Sequence, residues 1–320
     1  MTKNVSNLRF GALREKTAGS IGVYGAGKGV LARLDTPLIS TDGALLLVVQ
    51  NKTISAKFAT AKYVRKQHDT LNDSALGGTE IYDEVASEES EITMLLQDDT
   101  WFKLAAFISD GTTTPQVSIG SPCSFTLHYE DGTKKVDLIG CYLTEYTVNV
   151  EMDKPITQTI KFKHRKAIES AAMAAFPAIS TTAIMRRTNL IHAIFGTTDV
   201  AALEMIKASL SIKFEWNESK VLNDDFLYEA TIKKVTWKMT ADYLTPNDGT
   251  QSNMWESKMN LNVPITNLAA NFTVGTIIAR EMTNMALVEC VASDYGEKGN
   301  IKYSVGLEST SASAITVHAP

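Results

Sequence analysis

The segment CYLTEYTVNVEMDKPITQTIKFKH, residues 141–164, decides the fold class. Apolar and polar side chains alternate along both of its halves. Successive side chains of a β-strand point to opposite faces, so each half is predicted to be a strand with one apolar and one polar face. The short sequence MDKP between them predicts a long antiparallel hairpin. One face has Tyr142, Tyr146, Val148, Val150, Ile156, Gln158, Ile160, Phe162 and His164, and the other has Glu145, Thr147, Asn149, Glu151, Thr157, Thr159, Lys161 and Lys163.

The same period of two recurs along most of the chain and predicts further strands. Asp131-Gly132 after one of them is typical of a hairpin turn. A change of parity near Lys233 and Lys234 predicts a β-bulge in another. Residues 91–108 are compatible with a strand followed by a helical turn, and residues 314–320 with a last strand. The remaining predicted strands lie in residues 52–58, 124–130, 209–216, 228–243, 254–263 and 300–309.

Two segments predict short helices. Residues 166–176 are rich in alanine and stop before Pro177. Residues 198–209 begin with Thr198 and Asp199, which favour a helix N-terminus. Residues 65–90 are polar and predict a long surface loop. The predicted fold is therefore mainly β, a sandwich or barrel with long amphipathic hairpins and one or two short α-helices.

Composition restricts the class of protein. The chain has 320 residues, of which 44% are hydrophobic and 21% charged, with a net charge of −5. This balance disfavours a protein that reads nucleic-acid sequence, because such proteins neutralise phosphates with a basic surface. No apolar run approaches the length of a membrane span, and the N-terminus lacks the apolar core of a signal peptide, so we expect a soluble protein made in a cytoplasm. Three cysteines, Cys123, Cys141 and Cys290, are expected to be free and buried.

A glycine-rich segment imitates a nucleotide-binding loop. In IGVYGAGKGV, residues 21–30, Gly22, Gly27 and Lys28 have the spacing of a phosphate-binding loop. Residue 29 is Gly, where that loop needs a hydroxyl to hold Mg²⁺. The flanking sequence predicts neither the preceding strand nor the following helix. We interpret the glycines as part of a flexible arm and expect no cofactor.

No pattern favours catalysis over a structural role. The five histidines have no metal-ligand spacing, and no nucleophile-elbow sequence occurs. The carboxylates in residues 83–99 would suit a glycosidase pair, but such a run is usually a solvated surface. Four tryptophans, at positions 101, 216, 237 and 255, would suit a sugar-stacking platform, but most lie on predicted core faces. We expect no catalytic, cofactor-binding or metal-binding residues.

Two segments resemble each other. Residues 124–135 and 209–220 share a pattern of alternating residues followed by turn residues and Lys, and a long amphipathic hairpin follows each, at 141–164 and 228–263. This indicates either a duplicated unit, about 124–176 and 209–264, or the ordinary likeness of two half-exposed strands. The predicted domains are an extended arm (1–42), a β-sandwich domain (43–264) and a C-terminal β extension (265–320).

The two hairpins, with YTVNVEMDKPITQTIKFKHRK (146–166) as the clearest, and the predicted helix 198–209 between them resemble tail tube proteins of tailed phages and related injection machines. In that family, hairpins from several subunits close into the inner barrel of a ring, and stacked rings form a conduit for DNA. The resemblance covers roughly residues 124–264. It implies a ring of six copies, or of three if the chain is duplicated, with the arm 1–42 and the acidic segment 65–91 between rings.

The resemblance also implies partners and a site. The partners would be other copies of the chain, passing DNA without sequence-specific binding, and sheath, tape-measure and tail terminator proteins, with assembly in the host cytoplasm into the virion tail and no membrane contact. The lumen-facing candidates are Glu145, Thr147, Asn149, Glu151, Thr157, Thr159, Lys161, Glu256, Lys258 and Asn260. An acidic pI of about 5.6 suits a lumen that repels phosphates.

Two other classes of protein stay open. One is another virion β-protein: a head–tail connector, a decoration protein or a receptor-binding module. The other is a carbohydrate-active enzyme that uses two converging carboxylates. A tube subunit must polymerise, whereas a binding module would remain a closed oligomer with a ligand groove.

Overall fold

The structure is a computed structural model. It describes residues 9–14, 52–59, 62–69, 79–86, 89–97, 101–102, 125–130, 134–169, 182–202, 204–220, 227–246, 265–275, 278–295 and 300–317.

Strands account for most of these residues. The first eight are β1 (Arg9–Arg14), β2 (Thr53–Lys57), β3 (Lys62–Asp69), β4 (Thr79–Ala86), β5 (Ser90–Leu95), β6 (Phe125–Glu130), β7 (Lys135–Glu151) and β8 (Thr157–Lys163). The others are β9 (Lys166–Glu169), β10 (Leu190–Phe195), β11 (Thr198–Asp199), β12 (Glu204–Lys220), β13 (Leu227–Pro246), β14 (Leu268–Val274), β15 (Ile278–Tyr295) and β16 (Asn300–Val317). Within the described ranges, the helical residues are Trp101, Phe102 and the 3-10 turns Arg187–Asn189 and Val200–Ala202.

The strands confirm the predicted fold class, which is mainly β. Fourteen of them form one sheet, with the order β11-β10-β14-β15-β16-β13-β12-β7-β8-β5-β2, while β1, β6 and β9 join it beside this path. Strands β3 and β4 form a separate two-stranded sheet. The pairings are antiparallel, which agrees with the short connections and the alternation of polar and apolar side chains.

Strand β7 joins the two parts of the large sheet. Its first part pairs with β6 and β9, and its second part pairs with β8 and β12. The change of neighbours falls at Gly140, whose φ is 63°. A residue with a Cβ is strained in this left-handed conformation, so glycine allows the strand to bend there.

The sheet curves around one core. Buried side chains from β1, β5 to β8, β10 and β12 to β16 belong to a single cluster. Met185, just before β10, donates its backbone N–H to Leu96 after β5 and accepts one from Ile156 before β8. The buried Gln97 side chain accepts a hydrogen bond from the Lys52 N–H and donates one to the Thr182 carbonyl. These bonds bring the segment before β10 against β5 and β8, which lie towards the other end of the strand order.

The hairpin predicted over 141–164 is confirmed. In β7 and β8 the buried residues include Tyr146, Val148, Gln158 and Ile160, each with zero exposure. The predicted bulge is also confirmed, because Glu215 pairs with Lys234 whereas Trp216 pairs with Ile232, which leaves Lys233 as the extra residue.

The helix predicted over 198–209 is wrong beyond its first turn. Residues 200–202 form a 3-10 turn, and Asp199 accepts a hydrogen bond from the Ala201 N–H. From Glu204 onward the chain is strand β12, with β7 on one side and β13 on the other. Helix propensity is a weak preference, and two rows of backbone hydrogen bonds with an alternately buried face outweigh it here.

Two other local predictions are wrong for similar reasons. Residues 166–169, the start of the predicted Ala-rich helix, form β9 against β7, and the rest of that prediction, 170–176, lies outside the described residues. Residues 65–90 are not simply a loop, because β3 and β4 pair across this segment from Lys62 to Ala86. The polar composition of this segment suggested a loop, but it does not exclude strands, because a two-stranded ribbon needs few apolar residues.

The second hairpin predicted over 228–263 is described only in its first strand, β13. This strand forms a hairpin with the preceding β12, and both edges of its last part, Lys238–Pro246, are paired, one with β12 and the other with β16. The predicted second strand, 254–263, lies outside the described residues. In both proposed repeats the first strand pairs with the long strand that follows, β6 with β7 and β12 with β13, and the duplication stays a prediction.

The predicted domains are linked by the same sheet. Strand β1, from the predicted arm, pairs with β6, and its Phe10 side chain is buried in the core. Strand β16, from the predicted C-terminal extension, pairs with β13. The domain boundaries themselves stay predictions.

Replacing Phe102 with Ala should strongly destabilise the fold. The Phe102 ring is 1% exposed and meets Tyr146 at 5.7 Å and Trp237 at 6.4 Å between ring centroids. Truncation leaves a cavity between β7 and β13, so we expect a loss of about 3–5 kcal/mol in unfolding free energy, measured by denaturant titration. Met152→Ala is the control, because Met152 is 53% exposed. An equal, small effect of both variants would contradict this packing.

His164 should make the fold sensitive to acid. Burial disfavours the charged imidazolium and lowers the pKa of His164 from 6.5 to about 4. In the unfolded chain the ring regains its ordinary pKa, so as pH falls below 6.5 the unfolded state binds a proton that the folded state does not. Stability is therefore lost with falling pH, by about 2 kcal/mol between pH 7.5 and pH 5 from this group.

The measurement is the unfolding free energy of the wild type and of His164→Gln at both pH values. We expect the variant to lose markedly less stability on acidification. His192→Gln is the control, because the His192 side chain is 47% exposed. Identical pH dependence in the wild type and His164→Gln would rule out a buried neutral His164.

Candidate functional site

The predicted lumen residues that the structure describes share one surface. We call this surface, opposite the core on β2, β5, β8, β7, β12, β13 and β16, the polar face. It contains the seven candidates Glu145, Thr147, Asn149, Glu151, Thr157, Thr159 and Lys161, which alternate with buried residues on β7 and β8. The other three, Glu256, Lys258 and Asn260, lie outside the described residues.

Charged side chains of opposite sign form one row across the polar face. Residues that pair directly across an antiparallel sheet point to the same side. Lys57 pairs with Glu91, Glu91 with Lys161, Lys161 with Glu145, and Glu145 with Lys213. We call these five residues the charged row, in which the sign of charge alternates over five strands.

A row of hydroxyl groups lies beside the charged row. We call it the hydroxyl row, and its members, in strand order, are Ser55, Thr93, Thr159, Thr147 and Ser211. The Thr93 and Thr159 hydroxyls are 3.2 Å apart. The next row continues this character through Thr157, Asn149, Ser209 and Thr240, with the Ser209 and Thr240 hydroxyls 2.7 Å apart. Neutral groups that bond to each other and to water thus occupy the middle of the polar face.

Charges on the polar face compensate one another. The row beyond the two that carry hydroxyl groups contains Glu151, Lys207 and Asp242. The hydroxyl row itself continues from Ser211 onto β13 and β16, where Lys238 pairs with Glu308. Over the four rows, the described lysines are Lys57, Lys161, Lys207, Lys213 and Lys238, and the carboxylates are Glu91, Glu145, Glu151, Asp242 and Glu308. Over these four rows lysines and carboxylates are equal in number, while Lys163 and Lys302 lie on the same face outside the four rows.

Lys161 has the most closely defined environment on this face. Its Nζ lies 2.8 Å from Glu145 Oε2, and the two side chains are 32% and 26% exposed. The hydrogen bond to Glu145 raises the pKa of Lys161, partial burial opposes this, and the charges of Glu145, Glu89 and Glu91 add to the rise. Lys161 is thus a fully protonated cation held among three carboxylates.

A second cluster borders the charged row. Glu218 Oε1 accepts hydrogen bonds from the Tyr142 hydroxyl and the Lys163 ammonium, each at 2.8 Å. Burial, and then the Glu218 carboxylate, raise the pKa of the Tyr142 phenol. The Trp216 indole N–H donates to the Leu143 carbonyl at 2.7 Å. These contacts attach the last part of β12 to β7, beyond the end of their ladder at Lys213.

The histidine and tryptophan side chains that the structure describes occupy structural positions. His128 is buried with its Nδ1 2.5 Å from Asp137, and Glu130 lies 3.5 Å from its Nε2. His192 lies 2.7 Å from Asp199, near the surface. Trp101 and Trp237 are buried, Trp216 is half-buried, and Trp255 lies outside the described residues. Among the described side chains, no group of three or more His, Cys, Asp or Glu is placed to hold a metal ion.

The acidic residues considered for glycoside hydrolysis are dispersed. Asp83 and Glu84 belong to β4 in the separate two-stranded sheet, Glu91 belongs to the charged row, and Glu89 accepts a hydrogen bond from Thr144. Glu88, Asp98 and Asp99 lie outside the described residues. Cys141 is buried and its thiol donates a hydrogen bond to the Leu138 carbonyl at 3.2 Å, Cys290 is half-buried, and Cys123 lies outside the described residues.

Sequence reasoning missed about half of the polar face. Ser55, Lys57, Glu91, Thr93, Lys207, Ser209, Ser211 and Lys213 were not among the candidates. The alternation at 209–216 was a usable signal, but the helix predicted over 198–209 hid the first part of β12. Nothing in the sequence indicated that β5 pairs with β8 and β2 with β5, because periodicity does not encode which strands are neighbours.

No family model matches the chain, and no curated protein was found to be similar to it. None of the helices in the described part of the chain is long and apolar enough to cross a membrane.

The Glu145–Lys161 pair should contribute a small, salt-sensitive stabilisation. Half-exposed ion pairs between neighbouring strands contribute about 0.2–1 kcal/mol. We expect a double-mutant cycle with Glu145→Gln and Lys161→Gln to give a coupling energy in that range at low salt and a smaller one in 1 M NaCl. The control cycle uses Glu215 and Lys233, which are more exposed and 3.7 Å apart. Equal coupling in both cycles would contradict a special environment for Lys161.

Proposed function

We propose that the protein is a structural subunit of a phage-like tail tube, which assembles into stacked rings around a channel for DNA. The observation that supports this most is the polar face: seven adjacent strands present a hydrophilic surface, on which lysines and carboxylates are interleaved, opposite a continuous apolar core. The proposed role is mechanical, with no catalytic step.

The physical demands on a conduit agree with such a surface. Duplex DNA is a dense polyanion, and a surface with uncompensated lysines would bind it through counterion release and slow its passage. Apolar side chains would instead tend to make subunits aggregate. A face whose lysines are matched by carboxylates, with hydroxyl rows between them, would stay hydrated and bind phosphates weakly.

Long antiparallel strands also suit ring formation. A sheet leaves unpaired backbone groups at its edges, and closing sheets from several subunits into one barrel removes these edges. In the proposed assembly the polar faces point inward and a ring contains six copies, or three if the chain is duplicated. Rings would then stack, meet sheath, tape-measure and tail terminator proteins, and form part of a virion tail assembled in the host cytoplasm.

The decisive experiment is negative-stain electron microscopy of the purified chain at rising concentration. We expect rings and then hollow tubes, with a channel wide enough to admit duplex DNA. Phe102→Ala is the control for unfolded protein, which should give irregular aggregates rather than tubes.

Monomers or small closed oligomers at every concentration would overturn the tube proposal. That outcome would favour a head–tail connector, decoration protein or receptor-binding module. A hydrolytic activity on glycans that is lost on neutralising an acidic residue of 83–99 would instead favour the carbohydrate-active enzyme.

A further inference from the structure

Eight neighbouring strands of the large sheet consist of two sets of four that follow the same pattern. Their order across the sheet is β2, β5, β8 and β7, followed by β12, β13, β16 and β15. When the strands of each set are numbered along the chain, both sets read first, second, fourth, third. The pairs within each set are antiparallel, and so is the β7–β12 pair that joins the two sets.

The two sets also share their irregular positions. Each first strand has a bulge at an isoleucine, which is Ile54 in β2 and Ile206 in β12. Each third strand has a bulge between a leucine and a glutamate, at Thr144 in β7 and at Val288 in β15. Bulges keep their positions within related structures. Their positions here indicate that β2 corresponds to β12 and that β7 corresponds to β15.

The strands beside each set correspond as well. Strand β6 pairs with the first part of β7 as β14 pairs with the first part of β15, and β1 pairs with β6 as β10 pairs with β14. The third strands each have a positive φ three residues before the leucine at the bulge, 63° at Gly140 and 54° at Asn284. These matches define two equivalent halves, β1–β9 and β10–β16. Their units differ from the repeat predicted from the sequence, because β6 corresponds to β14 and not to β12.

The two halves meet through the ladder between β7 and β12. This ladder has seven residue pairs, and Asn149 lies opposite Ser209 within it. The strands that correspond to β12 and β7 at the outer ends of the halves are β2 and β15. In the described part of the chain, residues 55–57 of β2 and 291–295 of β15 have a paired strand on one side only. Each half therefore has the two edges of the internal junction, and one edge of each half is still open.

An exposed apolar side chain lies at the open edge of β15. Val291 is 50% exposed and pairs with Ser304 of β16. Thr147, at the corresponding position of β7, is half-buried and lies opposite Ser211 of β12. An open strand edge with an exposed valine is suited to pairing with another chain. A second copy has a matching strand, because its β2 corresponds to β12.

We propose that β15 of one copy pairs with β2 of the next copy, in the register of the internal β7–β12 pair. Applied to the corresponding residues, that register places Lys57 opposite Ser293. Two residues along, Ser55 lies opposite Tyr295. The two edges are different, so the contact repeats from copy to copy until a ring closes. The number of copies, three, rests on the proposed function, in which a ring of six units needs three duplicated chains, whereas the contact itself does not.

The test is disulfide formation between copies of Lys57→Cys/Ser293→Cys under mild oxidation, followed by non-reducing gel electrophoresis. Opposite residues of antiparallel strands have Cα atoms about 4.5–5.5 Å apart, a distance that a disulfide can span. We expect reducible species of two and three chains and none larger, because three contacts close the ring. The positive control is Asn149→Cys/Ser209→Cys, the corresponding internal pair, which should crosslink within one chain.

Further controls test the register and the native thiols. Lys57→Cys/Glu289→Cys places the second cysteine four residues away along β15, about 13 Å from the expected position, and should not crosslink. Each single-cysteine variant shows how much crosslinking comes from the native cysteines. Their positions are Cys123, Cys141 and Cys290.

A variant that blocks the edge provides a second test. Lysine on an edge strand opposes pairing with another chain, so Val291→Lys should abolish the three-chain species that the wild type forms in sedimentation experiments. Ile191→Lys is the matched control, because Ile191 on β10 is 51% exposed and lies outside the proposed contact. Denaturant unfolding shows whether each variant is folded.

Failure to crosslink Lys57→Cys/Ser293→Cys would overturn the contact, as would equal crosslinking with Glu289→Cys or three-chain species in Val291→Lys. A ladder that continues beyond three chains would overturn the ring of three. Electron microscopy separates this inference from the proposed function. Crosslinked rings that never form tubes would overturn the tube only, and tubes without this crosslink would overturn the contact only.

Discussion

The structure depends on the hydrogen bonding of β7 along both of its edges. Its second part is held between β8 and β12, while its first part is held between β6 and β9, with the change at Gly140. Buried side chains on one side of β7, including Tyr146, Val148 and Val150, fix which residues face the core. A slip of one residue would exchange the two faces, so this burial also determines every row of the polar face.

The strands of 141–164 could be predicted because local and tertiary preferences agree there. Period-two alternation, β-branched residues and a short turn all favour the hairpin that forms. They disagree at 204–209, where Glu204, Met205 and Ala208 have high helix propensity but the chain forms β12 between β7 and β13. Apolar periodicity over so few residues also fits a strand, so only the neighbours decide. The partners of β13, which are β12 and β16, could not be predicted for a related reason, since periodicity does not say which strands pair.

The sequence predicts which residues of β7 and β8 share the candidate surface, but not which other strands contribute to it. The β7 and β8 candidates follow from alternation alone, and the structure does place them on one side. The charged row could not be predicted, because it joins Lys57 to Lys213 through registers between strands that are far apart in sequence. Lys161 looked unfavourable for a DNA conduit as an isolated residue. Its ion pair with Glu145 removes this objection, because a lysine that already contacts a carboxylate binds a phosphate more weakly.

In the proposed conduit, a balance of charges would suit DNA passage better than negative charge. A strongly acidic surface would repel DNA, but it would also repel the neighbouring copies that a closed ring must bring together, and it would take up cations that bridge to phosphates. A surface of alternating charge avoids both effects, because its potential decays within about the distance between opposite charges. Hydroxyl rows between the charged rows keep the surface wet without adding charge. The alternation of Lys and Glu from β2 to β12 would give the proposed conduit such a surface, and it also supplies the sheet with cross-strand pairs of opposite charge.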